Sequence, residues 1–352
     1  VRHPRAHRVL ERHRGGARGQ GGGARRRARV SAAVQVAKPL VALTIGDTAG
    51  IGPEIALLAL RDEGLARRAR LVALGPARLR PDDIQTTDDS ASLRGHGRLA
   101  TDDHGPVQVG KVQRAAGLEA LAALRAAHDL ALSRRVAALV TAPVSKEALH
   151  LAGERVEGQT ELLGRWCGVE RVEMMAVAGK LRVILCTRHM PLRRALDEVT
   201  TARVLDRARL FDLTLRALGV ERPRLAVCGW NPHAGEHGLL GSEDDEILAP
   251  AVAAARVEGL DVHGPISPDS VFRQAAHGDW DGVVALWHDQ AFIPLKLLDP
   301  AGGVTALCGL PYLRLSPAHG TAFDIAGRGR ADASNLIAAL HKSVDWAPAW
   351  GG

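Results

Sequence analysis

Short apolar runs, each ending abruptly in a polar loop, recur along the chain from residue 39 onward. Residues 40–45 read L-V-A-L-T-I, 71–75 read L-V-A-L-G and 137–141 read A-A-L-V-T. Three more runs end in a histidine. They are L-R-V-I-L-C-T-R-H at 181–189, A-V-C-G-W-N-P-H-A-G-E at 226–236 and G-V-V-A-L-W-H-D-Q at 282–290. Small and β-branched apolar residues in runs this short predict buried strands. Between them, leucine and alanine recur at helical spacing over 115–132 and 202–218, and a closing helix starts near Ser334. Another helix is expected over 242–256, opening on four acids that suit the helix dipole. Strand and helix alternate throughout, which predicts an α/β fold with parallel strands.

The loops carry the candidate chemistry. G-D-T-A-G-I-G-P-E at 46–54 joins the first strand to a helix, the arrangement by which a backbone approaches a phosphate or nucleotide. Its spacing is neither G-x-G-x-x-G nor a Walker A, so a structural tight turn fits equally well. Lys146 stands just beyond a strand, as a solvated loop residue or as a contact for an acidic substrate. G-Q-T-E-L-L-G-R-W at 158–166 enters a helix that Gln159 or Thr160 would cap. G-P-I-S-P-D-S-V-F at 264–272 exposes Asp269 ahead of another helix, and Lys296 follows His288 in a loop.

In open α/β sheets, ligands bind outside the carboxyl ends of the strands. His189, His233 and His288 occupy three such ends, and neutral imidazoles suit Zn²⁺ or a similar divalent ion. Each alone reads as an ordinary loop histidine; together they would form a metal site. Three protein ligands leave positions open for a substrate oxygen. Lys146, Lys296 and Arg314 would then hold an anionic substrate. Two classes stand on these residues: a metal-assisted dehydrogenase or hydrolase acting on a small acid, and a non-catalytic binding module.

Composition adjusts this picture. A chain of 352 residues is long enough for two domains. The net charge of +7 is concentrated at the start, where residues 1–38 hold ten arginines, one lysine and one acid. That segment carries about +10, which leaves about −3 for the rest. The basic balance therefore does not argue for nucleic-acid binding. Residues 1–36 read as a disordered basic tail, rich in glycine and arginine. A transit-like presequence and an arm for anionic partners both fit it; we read it as sequence outside the functional domain. No stretch approaches eighteen uninterrupted apolar residues, so no membrane span is expected. Cys167, Cys186, Cys228 and Cys308 lack CxxC pairing and read as reduced thiols of a cytoplasmic protein.

Taken in order, these motifs resemble the 4-hydroxythreonine-4-phosphate dehydrogenase family of pyridoxal 5′-phosphate biosynthesis, over about residues 39–345. The resemblance rests on T-I-G-D-T-A-G-I-G-P-E, V-T-A-P-V-S-K, G-Q-T-E, T-R-H-M-P-L, N-P-H-A-G-E, W-H-D-Q and H-G-T-A-F-D-I-A-G-R-G. It implies a two-domain α/β/α sandwich of the isocitrate and isopropylmalate dehydrogenase type, with the active site in the interdomain cleft. Residues 37–143 and 291–346 would form a first, cofactor-side domain, and 144–290 a second, metal- and dimer-side domain. It implies a homodimer whose metal is held by His189, His233 and His288, with His288 supplied by the partner subunit. The ion would be Zn²⁺, or alternatively Co²⁺, Mn²⁺ or Mg²⁺. Lys296, Asp269 and Asp289 match catalytic positions, and Gln159, Thr160, Lys296, Thr305 and Arg314 match substrate positions. His319, Gly320, Thr321 and Asp324 would meet NAD or NADP. The implied reaction oxidises the secondary alcohol of 4-phosphooxy-L-threonine and then releases CO₂. The alternatives are a sugar-acid phosphate, D-threonate or D-erythronate 4-phosphate, and a cis-dihydrodiol dicarboxylate.

The chain departs from that family's pattern around the substrate. Gln159 replaces the histidine of G-H-T-E and Thr305 an asparagine. Thr48 replaces the proline of G-D-P-A-G, and Ala291 a glycine after H-D-Q. Gln159 keeps hydrogen-bonding ability but cannot carry charge. Retention of Lys146 and Arg314 favours a phosphorylated acid over a dihydrodiol.

Overall fold

The structure is a computed structural model that describes residues 38–87, 89–299 and 303–350. The basic tail expected over 1–36 lies outside the described residues. Twelve strands are described, and they form one sheet. In chain order they are β1 Leu40–Thr44, β2 Arg70–Pro76, β3 Gln85–Thr87, β4 Gly97–Thr101, β5 Ala138–Thr141 and β6 Glu173–Ala178. They continue with β7 Leu181–Leu185, β8 Arg224–Cys228, β9 Asp261–Ile266, β10 Gly282–Ala285, β11 Val304–Cys308 and β12 Arg314–Pro317. The order across the sheet is β3-β4-β2-β1-β5-β12-β11-β6-β7-β10-β8-β9.

All six apolar runs form strands (β1, β2, β5, β7, β8 and β10), and each is flanked by other strands on both sides. Val41, Ala42 and Leu43 of β1 are fully buried, as a strand covered by helices on both faces requires. The mixed α/β class therefore holds. The sheet is parallel on its two flanks and antiparallel at its centre, where β11 opposes both β12 and β6, and β6 opposes β7. Short connections explain the difference. β6 and β7 are joined by Gly179 and Lys180 alone, with Gly179 at φ 59°, and so tight a turn permits only an antiparallel pair. The strands of 37–143 and 291–346 lie together at one side of the order, and those of 144–290 at the other.

Helices cover the sheet where periodicity placed them: Gly52–Leu60, Arg114–Leu132, Thr201–Ala217, Pro268–His277 and Ser334–Trp346. Two segments differ. The acid-rich segment winds as a π-turn over Asp244–Leu248 before a regular helix, Ala249–Val257. Pro250 lacks the N–H that regular winding would donate back to Glu246. His288–Leu298 is a helix rather than a loop, so Lys296 sits on a helix. Its N-cap is Trp287, which makes no capping bond, and Pro294 lies inside it, so no sequence signal marks its start.

Candidate functional site

A cavity of about 680 Å³ opens over the central strands β5, β12, β11, β6 and β7. Register places its floor. Thr305 of β11 lies opposite Ser316 of β12, and Arg314 is two residues before Ser316, so all three share a face. Arg314 pairs in register with Leu139, which puts Thr141 of β5 on that face too.

Arg314 is the centre of the floor. It is 3% exposed, and its Nη2 donates to Thr141 Oγ1 at 2.6 Å. Its Nε has no hydrogen-bond partner. Among the described residues no carboxylate lies within ion-pair distance; Tyr312 and Glu161 act on it from farther away. Burial pulls its pKa down to about 10, which leaves it charged at neutral pH. A buried, uncompensated guanidinium is costly on its own and marks a place built for an anion.

The neighbouring walls continue that chemistry. The helix Gln159–Cys167 begins at the cavity, and Gly158, Gln159 and Thr160 all line it. The N-cap is Gly158, in place of the expected Gln159 or Thr160, and no side chain caps the helix. Gln159 turns instead to donate from Nε2 to Ala142 O at 3.2 Å, leaving its Oε1 buried without a partner. Thr160 and Thr305 are each 8% exposed. Lys146, at the start of the helix Lys146–Leu151 capped by Ser145, and Lys296 line the same cavity from exposed positions. Helix N-termini and free cations together suit phosphate or carboxylate.

Two of the three expected metal histidines meet here. The rings of His189 and His288 are 5.1 Å apart between centroids. Adjacent parallel strands bring them together, since Leu185 of β7 is in register with Ala285 of β10. His288 Nδ1 is 3.2 Å from Asp289 Oδ1, and its ring stacks on Phe292 at 4.4 Å. Burial first, then the charges of His288 and Lys146, push the His189 pKa below the usual imidazole value. A neutral imidazole is the form that binds metal.

His233 does not line the cavity. It sits in a loop where His233, Ala234, Gly235, Glu236 and His237 all have φ between 44° and 77°. The buried carboxylate of Asp244 secures this strained loop by accepting from the backbone N–H groups of Trp230 at 2.7 Å and Asn231 at 3.0 Å. Such strain is held where surrounding bonds over-determine it, a pattern found at functional sites. His233 Nδ1 lies 2.6 Å from Glu236 Oε1, and that bond, with a smaller push from Asp269, raises the His233 pKa. Among the described residues, no three His, Cys, Asp or Glu side chains of one chain form a metal-holding cluster. Within one chain His288 meets His189, and His233 stands apart. Two facing imidazoles fit a divalent ion as part of its donor set.

The two acids expected in catalysis also lie outside the cavity lining. Asp269 is exposed and accepts from Ser267 Oγ at 2.7 Å; the Asp289 side chain is 74% exposed beside His288.

His319 and Gly320 line the cavity, and His319 Nε2 is buried without a partner. Thr321 meets the glycine-rich loop, accepting from Ile51 N at 3.0 Å. A Cβ on Gly50 would come within 2.8 Å of that same Thr321 oxygen, so only glycine lets the loops touch. Asp324 is exposed and outside the lining. The two loops form a rim with an unsatisfied donor or acceptor, which fits a polar cofactor.

Sequence reading missed one set of lining residues. Arg188 stands between Glu161 at 3.1 Å and Glu173 at 3.6 Å, and Arg207 pairs with Glu173 at 2.5 Å. The only available signal was an arginine directly before His189.

The family model described as "Pyridoxal phosphate biosynthetic protein PdxA" matches residues 55–343. The chain is 42% identical over 323 residues to D-threonate 4-phosphate dehydrogenase of Salmonella typhimurium, covering 87% of this chain and 98% of that protein. It is 39% identical over 324 residues to 4-hydroxythreonine-4-phosphate dehydrogenase of Desulforapulum autotrophicum, covering 86% and 94%. The crystal structure of 4-hydroxythreonine-4-phosphate dehydrogenase from Klebsiella pneumoniae superposes with a TM-score of 0.82 at 39% identity, covering 88% of this chain and all of that one (100%).

Proposed function

Because the chain belongs to the PdxA family of dehydrogenases acting on CH–OH groups, we propose that its cavity oxidises the secondary alcohol of a phosphorylated four-carbon hydroxy acid. The observation that carries this reading is Arg314, a buried guanidinium with no carboxylate partner on the cavity floor. Both substrates named among the relatives carry a phosphate and a carboxylate. Arg314, Thr141 and the start of the helix Gln159–Cys167 would hold one anionic end, with Thr160 and Thr305 beside them. Lys146 and Lys296 would hold the other.

A bound nicotinamide dinucleotide, NAD or NADP, would accept the hydride, and a divalent ion would polarise the hydroxyl being oxidised. His189 and His288 are the residues of this chain that would hold the ion. His319, Gly320 and Thr321 are those that would border the dinucleotide. Two anchored ends fix the carbon skeleton, so that the reacting C–H points one way.

We further read the chain as half of a homodimer with a shared site, His233 of a second copy completing the donor set. Leu239 (77% exposed) follows the His233 loop, and Ile293 and Leu297 (61% and 79%) lie on the helix that begins at His288. These apolar side chains would be covered by the same contact. The test of function is a panel of 4-phosphooxy-L-threonine, D-threonate 4-phosphate, D-erythronate 4-phosphate and a dihydrodiol dicarboxylate, following reduced cofactor. Turnover of a phosphorylated acid supports the reading; turnover of the dihydrodiol alone overturns it.

A further inference from the structure

The charges lining the cavity are unevenly matched. Seven basic side chains face four carboxylates. Among the carboxylates, Glu198 is taken by Arg194 and Arg203, each at 2.8 Å. Glu173, with its side chain 12% exposed, is taken by Arg207. Arg188 reaches both Glu173 and Glu161. Glu157 remains, at an exposed position. Among the described residues, three lining cations without a carboxylate partner, Arg314, Lys146 and Lys296, therefore face one unpaired carboxylate, Glu157, so the balance of unpaired charge is positive.

The relatives' named substrates differ at the carbon next to the reacting alcohol. 4-Phosphooxy-L-threonine carries an ammonium there, and D-threonate 4-phosphate a hydroxyl. An ammonium entering the cavity needs a carboxylate to replace its water, and without one its desolvation is uncompensated. The reacting alcohol would be held at His189 and His288. Arg188 and Glu161 line the same cavity as His189 and His288, and from that shared lining we place the pair beside this substituent.

We propose that Arg188 determines substrate choice: by occupying the partly buried Glu161 and Glu173 it withdraws the counter-charges an ammonium would need and leaves it only the solvent-exposed Glu157. The site then takes a phosphorylated polyhydroxy acid with no amino group. This deepens the functional reading above and rests on it.

The experiment compares kcat/KM for D-threonate 4-phosphate and 4-phosphooxy-L-threonine in wild type, Arg188→Met and Arg188→Lys. Wild type prefers the hydroxyl substrate by about tenfold or more, Arg188→Met lowers that preference by about tenfold, and Arg188→Lys retains most of it. A purely structural role for Arg188 would lower both rates together and leave the ratio unmoved. Equal use of both substrates by wild type overturns the proposal, as does an unchanged ratio in Arg188→Met. The wild-type ratio needs no variant, so a misfolded Arg188→Met still leaves the proposal open to refutation. Oxidation of neither substrate overturns the functional reading itself, whereas oxidation of both without preference overturns this inference alone.

Discussion

His189 and His288 face each other across 5.1 Å because β7 and β10 are neighbouring parallel strands whose carboxyl ends lie side by side. His233 leaves β8 through a left-handed loop and lies outside their cavity. If a second copy supplies His233, two inactive variants repair each other. His189→Ala and His233→Ala each lose activity by about a hundredfold or more. Mixed and allowed to exchange subunits, they regain about a quarter of wild-type activity, because half of the sites in mixed dimers are intact. No recovery in the mixture means that the histidines do not work across subunits.

Arg314 is expected to separate stability from activity. Its buried charge has no carboxylate partner, so Arg314→Met removes a cost of folding and leaves the protein at least as stable, by up to about 1 kcal/mol. The same change lowers kcat/KM for a phosphorylated substrate about a hundredfold or more. Thermal midpoints and initial rates on one preparation check both halves. A marked loss of stability would assign Arg314 to the scaffold rather than to ligand binding.

The glycine-rich loop holds a carboxylate that responds to pH. Asp47 is fully buried, its Oδ1 accepts from Ala49 N at 2.9 Å, and its Oδ2 has no partner. Burial is the leading cause that raises its pKa above 3.8. The folded state thus favours the protonated form, and stability falls as pH rises through the raised value. Asp47→Asn should match wild type near the ordinary carboxylate range and exceed it at neutral pH, by about 1 kcal/mol. Denaturant midpoints at both pH values measure this; a constant difference between the two proteins contradicts it.

Gly50 provides a test of the cofactor rim. Gly50→Ala would drive a methyl group into Thr321, parting the glycine-rich loop from the loop of His319 and Gly320. KM for the nicotinamide cofactor should rise about tenfold while KM for the acid substrate changes little. Cofactor and substrate titrations of the variant separate the two. An equal rise in both would place the rim's role elsewhere.

How much of this was legible beforehand follows from local physics. The buried strands announced themselves because residues covered on both faces are continuously apolar, as in Val41–Leu43. β11 and β12 did not, because they carry the polar side chains Thr305, Arg314 and Ser316 to the cavity floor. The helix of His288 lacked a capping residue and contained Pro294, so it read as a loop. The histidines were legible as strand-end residues, but which two would meet depends on strand order. β7 lies next to β10, although β8 and β9 intervene in sequence. The Arg188–Glu161 and Arg207–Glu173 pairs join residues far apart in the chain, and no local pattern reports them.

The most direct test of the account is steady-state oxidation of D-threonate 4-phosphate by the purified full chain with NAD or NADP and a divalent ion, followed by nicotinamide absorbance. The account predicts saturable reduction of the cofactor that is lost in Arg314→Met. Reduction that proceeds equally well with an unphosphorylated acid, or that survives in Arg314→Met, would contradict it.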